Sequence, residues 1–136
     1  MQFRGSKTVC VHPQLVPRVV SPENMEAYAT YERTKLPWSP EVDQLGANWH
    51  FTPGEALHIH FMAGHHVRNG PDDVSISMSI IFNTGESMVG RRALRFNYAA
   101  RRRMSQLGMT PSLFGASHVK DWLKSEIIRL RERSAT

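Results

Sequence analysis

The clearest pattern of hydrophobic and polar positions in this chain is an alternation over residues 74–82. Apolar residues alternate there with serines, so a strand would place the two kinds of side chain on opposite faces. A second alternation, around residue 59, sets apolar residues against His58 and His60, which would share the other face of a strand. Two short runs rich in β-branched or aromatic residues predict further strands at 7–11 and 48–51.

Three segments carry helical patterns instead. Apolar residues recur at three- and four-residue steps between 88 and 107 and again after Ser117, which predicts two amphipathic helices. Ser87 and Ser117 are the expected N-caps, and the sequence Ser-Pro-Glu at 21–23 predicts a third helix over 22–34. The last helix carries an apolar stripe that consists of Val119, Trp122, Leu123, Ile127 and Leu130.

These patterns divide the chain into a β domain, 1–86, and a helical C-terminal extension, 87–136. The 136 residues have a formal net charge of +5, and this charge is unevenly distributed. Residues 1–84 contain six Lys/Arg and eight Asp/Glu, whereas residues 85–136 contain eleven and four. A basic segment of this kind attracts nucleic acid, an anionic membrane or an acidic partner, or it is simply a solvated helical face.

The cysteine count and the absence of long apolar runs exclude several classes. Cys10 is the only cysteine, so an intrachain disulfide and a multi-cysteine zinc site are both excluded. The sequence has no long apolar run and no signal-peptide pattern, so we expect a cytoplasmic protein without a membrane partner. Cys10 and His12 would share a strand face, but we interpret Cys10 as a small buried hydrophobe rather than as a nucleophile.

The residues best suited to metal chemistry lie between Gly54 and Asn69. Gly54, His60, Met62, His65 and Asn69 are separated by five, one, two and three residues. This spacing resembles the second conserved motif of the cupin barrel, which has glycine, proline, glycine, histidine and asparagine at the five positions. Gly54, His65 and Asn69 match the motif, whereas His60 and Met62 depart from it. The resemblance implies that His65 is a metal ligand.

A longer stretch, from Trp49 to Phe82 with the arginine-rich tail, is similar to the bacterial cupin-like, JmjC-type proteins, some of which are labelled transcriptional regulators. The resemblance implies a mainly β fold with an α tail. This would be a partial double-stranded β-helix, or jelly roll, without the N-terminal part of the barrel and with two C-terminal helices. It also implies descent from Fe(II)/2-oxoglutarate-dependent oxygenases. His65 would then be the second histidine of the iron site, and Lys7 would hold the distal carboxylate of 2-oxoglutarate.

The His-x-Asp/Glu motif that completes the iron site in that family does not occur in this sequence. We therefore expect an incomplete metal site. Two interpretations stay open, namely an Fe(II)/2-oxoglutarate oxygenase and a protein that binds no cofactor. His58 and His60 are weaker metal candidates, because two imidazoles on one strand face suit zinc, nickel or copper as well as iron. The alternatives are that these histidines line a half-polar sheet face and that Lys7 is an ordinary strand-edge lysine.

A function without catalysis is the alternative, and it rests on the basic tail. Candidates for contacts with nucleic-acid phosphates are Arg95, Arg101, Arg102 and Arg103. The tail helices lack the short turn of a helix-turn-helix motif, so only non-specific binding is expected. The apolar stripes predict a homodimer through the C-terminal helices, in line with the dimers that the resemblance implies. The chain would then be a dimerising or nucleic-acid-associated regulatory module.

Overall fold

The computed structural model describes residues 1–31, 38–71 and 74–134. The chain divides into two compact units, which we call the sheet unit (Met1–Val19 and Pro37–Phe82) and the helical unit (Val20–Leu36 and Asn83–Thr136). In chain order the elements are β1 (Gln2–Arg4), β2 (Lys7–Val11), α1 (Pro22–Ala29), α2 (Pro40–Asp43), β3 (Ala47–Phe51), β4 (His65–Asn69), β5 (Ile76–Ser77), α3 (Gly85–Met104), a 3-10 turn (Ser105–Leu107) and α4 (His118–Arg133).

The sheet unit contains two small antiparallel sheets. Strand β2 is central in a three-stranded sheet of order β3-β2-β4, in which Cys10 pairs with Asn48 on one side and with His66 on the other. Strands β1 and β5 form a separate two-stranded sheet. No sheet closes into a barrel within the described residues, so the predicted jelly roll is not confirmed. The coarser prediction of β strands followed by two C-terminal helices is confirmed, but the fold is mixed rather than mainly β, because helices contain more of the described residues than strands do.

One predicted strand is much shorter than its sequence pattern suggests, and another forms no strand among the described residues. Of the alternation over 74–82, only Ile76–Ser77 joins a ladder, with β1. The alternation around His58 and His60 joins no ladder among the described residues. Both edges of β2 are occupied by β3 and β4, and β1 has only three residues. A period-two pattern sorts side chains onto two faces, but it cannot supply the partner strand that a ladder needs.

The predicted helices are confirmed, with shifted ends. Helix α3 begins at Gly85 because Thr84 is its N-cap, whereas Ser87 is the third helical residue of a reciprocal capping box. Helix α4 begins directly after Ser117, the predicted N-cap. Helix α1 begins at Pro22 and ends at Ala29. Residues 32–34 of the predicted first helix lie outside the described residues.

Helix α4 packs against α3 through a polar face rather than through its apolar stripe. The buried residues of α4 are Asp121, Lys124, Ser125 and Ile128. The Lys124 Nζ lies 3.5 Å from the Asp121 Oδ1 and donates a hydrogen bond of 2.8 Å to the carbonyl oxygen of Ser112. Asn97 of α3 donates a hydrogen bond of 3.0 Å to the same carbonyl. This network holds the polar face inward, because buried polar groups need their partners. The apolar stripe is exposed as a consequence.

Candidate metal centre

Four side chains of the sheet unit bring their ligand atoms together beside strand β2. They are Cys10, His12, Asp43 and His66, and one ligand atom from each lies within 4.8 Å of the others. Cys10 and His12 are buried, whereas Asp43 and His66 are half-buried. A thiolate, two imidazoles and a carboxylate are the groups that bind zinc in proteins. The cluster is therefore a candidate site for a transition-metal ion.

The register of β2 and β4 explains why these side chains meet. Residues directly opposite each other in an antiparallel pair share a face, and Cys10 lies opposite His66. His65 lies opposite Val11, so it belongs to the other face of the sheet. His12 follows β2 two positions after Cys10, and Asp43 is the last residue of α2. Three separate parts of the chain thus contribute to one cluster.

The hydrogen bond of His12 fixes its ring for metal binding. Its Nδ1 lies 3.2 Å from the carbonyl oxygen of Gly64, which can only accept, so Nδ1 carries the proton. The Nε2 therefore has a free lone pair. This nitrogen is buried and has no hydrogen-bond partner among the described residues. Metal-binding histidines commonly donate their other ring N–H to a backbone carbonyl in this way, which orients the ring.

Asp43 and His66 add further unsatisfied atoms to the cluster. The Asp43 Oδ1 and the His66 Nδ1 are buried without a hydrogen-bond partner within the described part of the chain. The His66 Nε2 lies 3.4 Å from the Asp43 Oδ1, which orients the two groups toward each other. Buried polar atoms in folded proteins are nearly always hydrogen-bonded. A cation bound among these groups would satisfy the lone pairs that the protein leaves open.

The environment of Cys10 keeps its thiol protonated in the absence of a cation. Burial raises the pKa of Cys10 above its ordinary value, and the neighbouring Asp43 carboxylate raises it further, while Arg68 acts in the opposite direction. A bound metal ion reverses this balance, because its charge stabilises the thiolate. Metal binding should therefore release the Cys10 proton.

Gly46 lies against the cluster so closely that no side chain fits there. A Cβ atom at this position would lie 2.3 Å from the Cys10 Sγ and 3.0 Å from the His12 Nε2. Gly46 follows α2 by three residues, and its lack of a side chain lets the Asp43 segment approach β2. The glycine is thus part of the site, although it offers no ligand atom.

The donor set favours zinc or a metal of similar preference. Four protein ligands that include a thiolate match the tetrahedral coordination of zinc, whereas Mg²⁺ and Ca²⁺ prefer oxygen ligands. The side chains of His66 and Asp43 are 32% and 33% exposed, so the site opens to solvent on their side. An ion could enter there while Cys10 and His12 form the buried floor.

The metal-ligand candidates from the sequence lie elsewhere in the sheet unit. His65 is exposed, and its Nδ1 lies 3.3 Å from the carbonyl oxygen of Ala63. His58 and His60 are exposed neighbours with ring centroids 4.9 Å apart, and His58 also stacks on Phe82. The Lys7 Nζ donates a hydrogen bond of 2.7 Å to the Ser77 hydroxyl. Lys7 shares the sheet face of His65, not that of Cys10.

The nucleic-acid candidates in the tail have partners within the helical unit. Arg101 makes two hydrogen bonds to the Glu26 carboxylate, of 2.8 and 2.9 Å, and Arg95 pairs with Glu132. The Arg102 guanidinium lies 5.6 Å from the ring centroid of Tyr98. Arg103 is exposed. Two of the four arginines are therefore committed to ion pairs with glutamates, which lowers the positive charge that the tail offers to phosphates.

A scan against protein-family models and searches of curated proteins and solved structures find no match. Among the described residues, no helix has the length and apolar character that crossing a membrane requires. The functional argument therefore rests on the geometry of the chain. A sequence signal for the cluster does exist, since Cys10-x-His12 places two ligand types on one side of a strand. Its partners Asp43 and His66 are distant in sequence and are found only through the fold.

Proposed function

We propose that this chain is a metal-binding protein that holds a zinc-like divalent ion at Cys10, His12, Asp43 and His66. The observation that carries the proposal is the convergence of four ligand atoms within 4.8 Å. The unpartnered Nε2 of His12 supports it, because the Gly64 carbonyl already fixes the other ring nitrogen as a donor.

The bound ion would have a structural role in the sheet unit. Asp43 lies 31 positions after His12, and His66 lies 23 positions after Asp43, so one ion would join three distant segments. Among the described residues of this unit the buried apolar ones are few, namely Val9, Cys10, Val19, Phe51 and Ala63. Small domains with little core commonly depend on a metal or a disulfide for stability. The chain has a single cysteine, so an intrachain disulfide cannot form. A bound metal ion is the cross-link that these four side chains can make.

Cobalt binding tests this proposal, because Co²⁺ replaces Zn²⁺ and reports thiolate coordination by its absorption. We expect one equivalent of Co²⁺ to bind with a sulfur-to-metal charge-transfer band, and Zn²⁺ to displace it. His66→Ala should weaken binding by about 10-fold or more. The matched control is His65→Ala, the neighbouring histidine on the other sheet face, which should bind like the wild type. Equal losses in the two variants, or no band in the wild type, would contradict the proposal.

A second candidate function is that of an oxygenase related to the Fe(II)/2-oxoglutarate family. It is favoured by the presence of two imidazoles and one carboxylate, from His12, His66 and Asp43, in the cluster. In such enzymes the iron supplies oxygen activation, and open coordination positions admit 2-oxoglutarate. Cys10 lies among the same ligand atoms, and a fourth protein ligand suits a closed site better than an open one. We therefore rank this function below structural metal binding.

Anaerobic titration with Fe(II) and then 2-oxoglutarate distinguishes the two functions. An oxygenase-type site should develop a visible charge-transfer band when 2-oxoglutarate chelates the iron. The Lys7→Ala variant should keep this band, because Lys7 lies on the opposite sheet face from Cys10. Stoichiometric zinc binding without any band for 2-oxoglutarate would exclude the oxygenase and retain the structural site.

A further inference from the structure

The apolar stripe of α4 forms an outward ridge on the helical unit. This outer ridge consists of Val119, Trp122, Leu123, Ile127 and Leu130, and each of these residues is at least 50% exposed. The orientation of the ridge is fixed by contacts on the opposite, buried face of α4. The buried pair of Lys124 and Asp121, with Asn97 of α3, secures the polar face of α4 through the Ser112 carbonyl. Burying the ridge inside the unit would expose this network, so the ridge stays on the surface of the helical unit.

One edge of the outer ridge is positively charged. At 3.6 residues per turn, Lys120 and Arg131 flank the ridge beside Ile127, and both are exposed. The carboxylates of α4 are all paired, and one of them, Glu126, lies within the arc of the ridge between Trp122 and Val119, where Arg129 neutralises it. Asp121 pairs with Lys124 on the buried face, Glu126 with Arg129, and Glu132 with Arg92 and Arg95 of α3. An occupant of the ridge therefore meets apolar side chains with two exposed cations along one edge and an ion pair at the other, so charge complementarity favours an anionic occupant.

We infer that the outer ridge of α4 docks on an anionic lipid surface. Its apolar side chains would enter the boundary between headgroups and acyl chains, while Lys120 and Arg131 contact anionic headgroups. Trp122 lies at the edge of the ridge, the position that suits an indole at a membrane interface. The contact is peripheral and does not depend on the metal site. This inference departs from the expectation of no membrane partner, which rested on the absence of a long apolar run and of a signal-peptide pattern.

A second copy of this chain fits the ridge less well. An antiparallel pair of α4 helices centred on the ridge would bring Lys120 of one copy beside Arg131 of the other. Like charges at the same edge oppose association. Nucleic acid would satisfy the cations, but it would leave the ridge itself exposed to water. A lipid surface satisfies the apolar side chains and the cations together.

Co-sedimentation with vesicles tests the inference, with phosphatidylcholine alone compared with phosphatidylcholine that contains about a third phosphatidylserine. We expect binding to the anionic vesicles that falls at least about 10-fold in the double variant Leu123→Glu/Ile127→Glu. A second double variant, Lys120→Glu/Arg131→Glu, should lose binding without changing the ridge. The control is Leu107→Glu, which changes an exposed leucine outside α4 and should bind like the wild type. All of these side chains are exposed, so far-UV circular dichroism should show the same helix content in each variant.

Three results would overturn the inference. One is the absence of binding to anionic vesicles, and another is equal binding to neutral ones. The third is a wild-type dimer in light scattering that dissociates in Leu123→Glu/Ile127→Glu without any vesicle binding, which would assign the ridge to self-association.

Discussion

Adding Zn²⁺ to the metal-free chain is expected to raise the free energy of unfolding of the sheet unit by about 4 kcal/mol when free zinc exceeds its Kd a thousandfold. The reason is that the ligand cluster exists only in the folded unit, where the chain brings Cys10, His12, Asp43 and His66 together. Urea unfolding followed by tryptophan fluorescence, with zinc and with a chelator, measures this difference in a Trp122→Phe background, which leaves Trp38 and Trp49 of the sheet unit as the probes. Trp49 lies on β3, beside the strand that carries Cys10.

Two variants separate the metal from other sources of stability. Cys10→Ser keeps the side-chain size but removes the thiolate, so it should abolish most of the gain from zinc. Gly46→Ala introduces a methyl group where the Cys10 Sγ would lie only 2.3 Å away, so it should displace the thiol and weaken zinc binding as well. An equal gain from zinc in wild type and Cys10→Ser would show that the ion binds elsewhere.

The sequence predicts the local elements better than their assembly. The strand at 7–11, the N-cap at Ser117 and the long helix after residue 84 follow from propensity and capping, which act over a few residues. The short strand at 65–69 was not predicted as such, because it has no regular alternation and pairs with β2 only through the fold. The sequence does not predict the orientation of α4 either. Its periodicity defines a stripe, but only tertiary contacts decide which face is buried.

The candidate site shows the same limit at the level of single residues. The resemblance to the cupin motif implies His65 as a metal ligand, whereas the candidate cluster contains its neighbour His66. A shift of one residue in a strand reverses the face of a side chain, so register decides between the two histidines. The Cys10-x-His12 pattern predicts that these two residues share a strand face. Asp43 completes the cluster from a four-residue helix that starts with Ser-Pro-Glu at 39–41, the pattern that predicts α1 at 21–23, but this local signal does not place Asp43 beside β2.

Arg101→Leu is expected to destabilise the helical unit by about 3–5 kcal/mol, because it removes one partner of a buried ion pair. The Glu26 side chain is only 1% exposed, and Arg101 meets it with two hydrogen bonds from its guanidinium. Without Arg101, the Glu26 carboxylate would be buried with its principal cation missing. Urea unfolding followed by far-UV circular dichroism at 222 nm, a wavelength that reports helix content, measures the loss in the zinc-free chain.

The control for Arg101→Leu is Arg103→Leu, two residues away on an exposed part of α3, which should change stability by no more than about 0.5 kcal/mol. The double variant Glu26→Leu/Arg101→Leu should recover much of the loss, because it removes both charges together. Equal stabilities for the two single leucine variants would contradict a structural role for Arg101.

The same argument constrains tests of nucleic-acid binding. A loss of nucleic-acid binding on replacing Arg101 would reflect unfolding of the helical unit. The informative variant is therefore Arg102→Ala/Arg103→Ala, which leaves the ion pair between Arg101 and Glu26 intact.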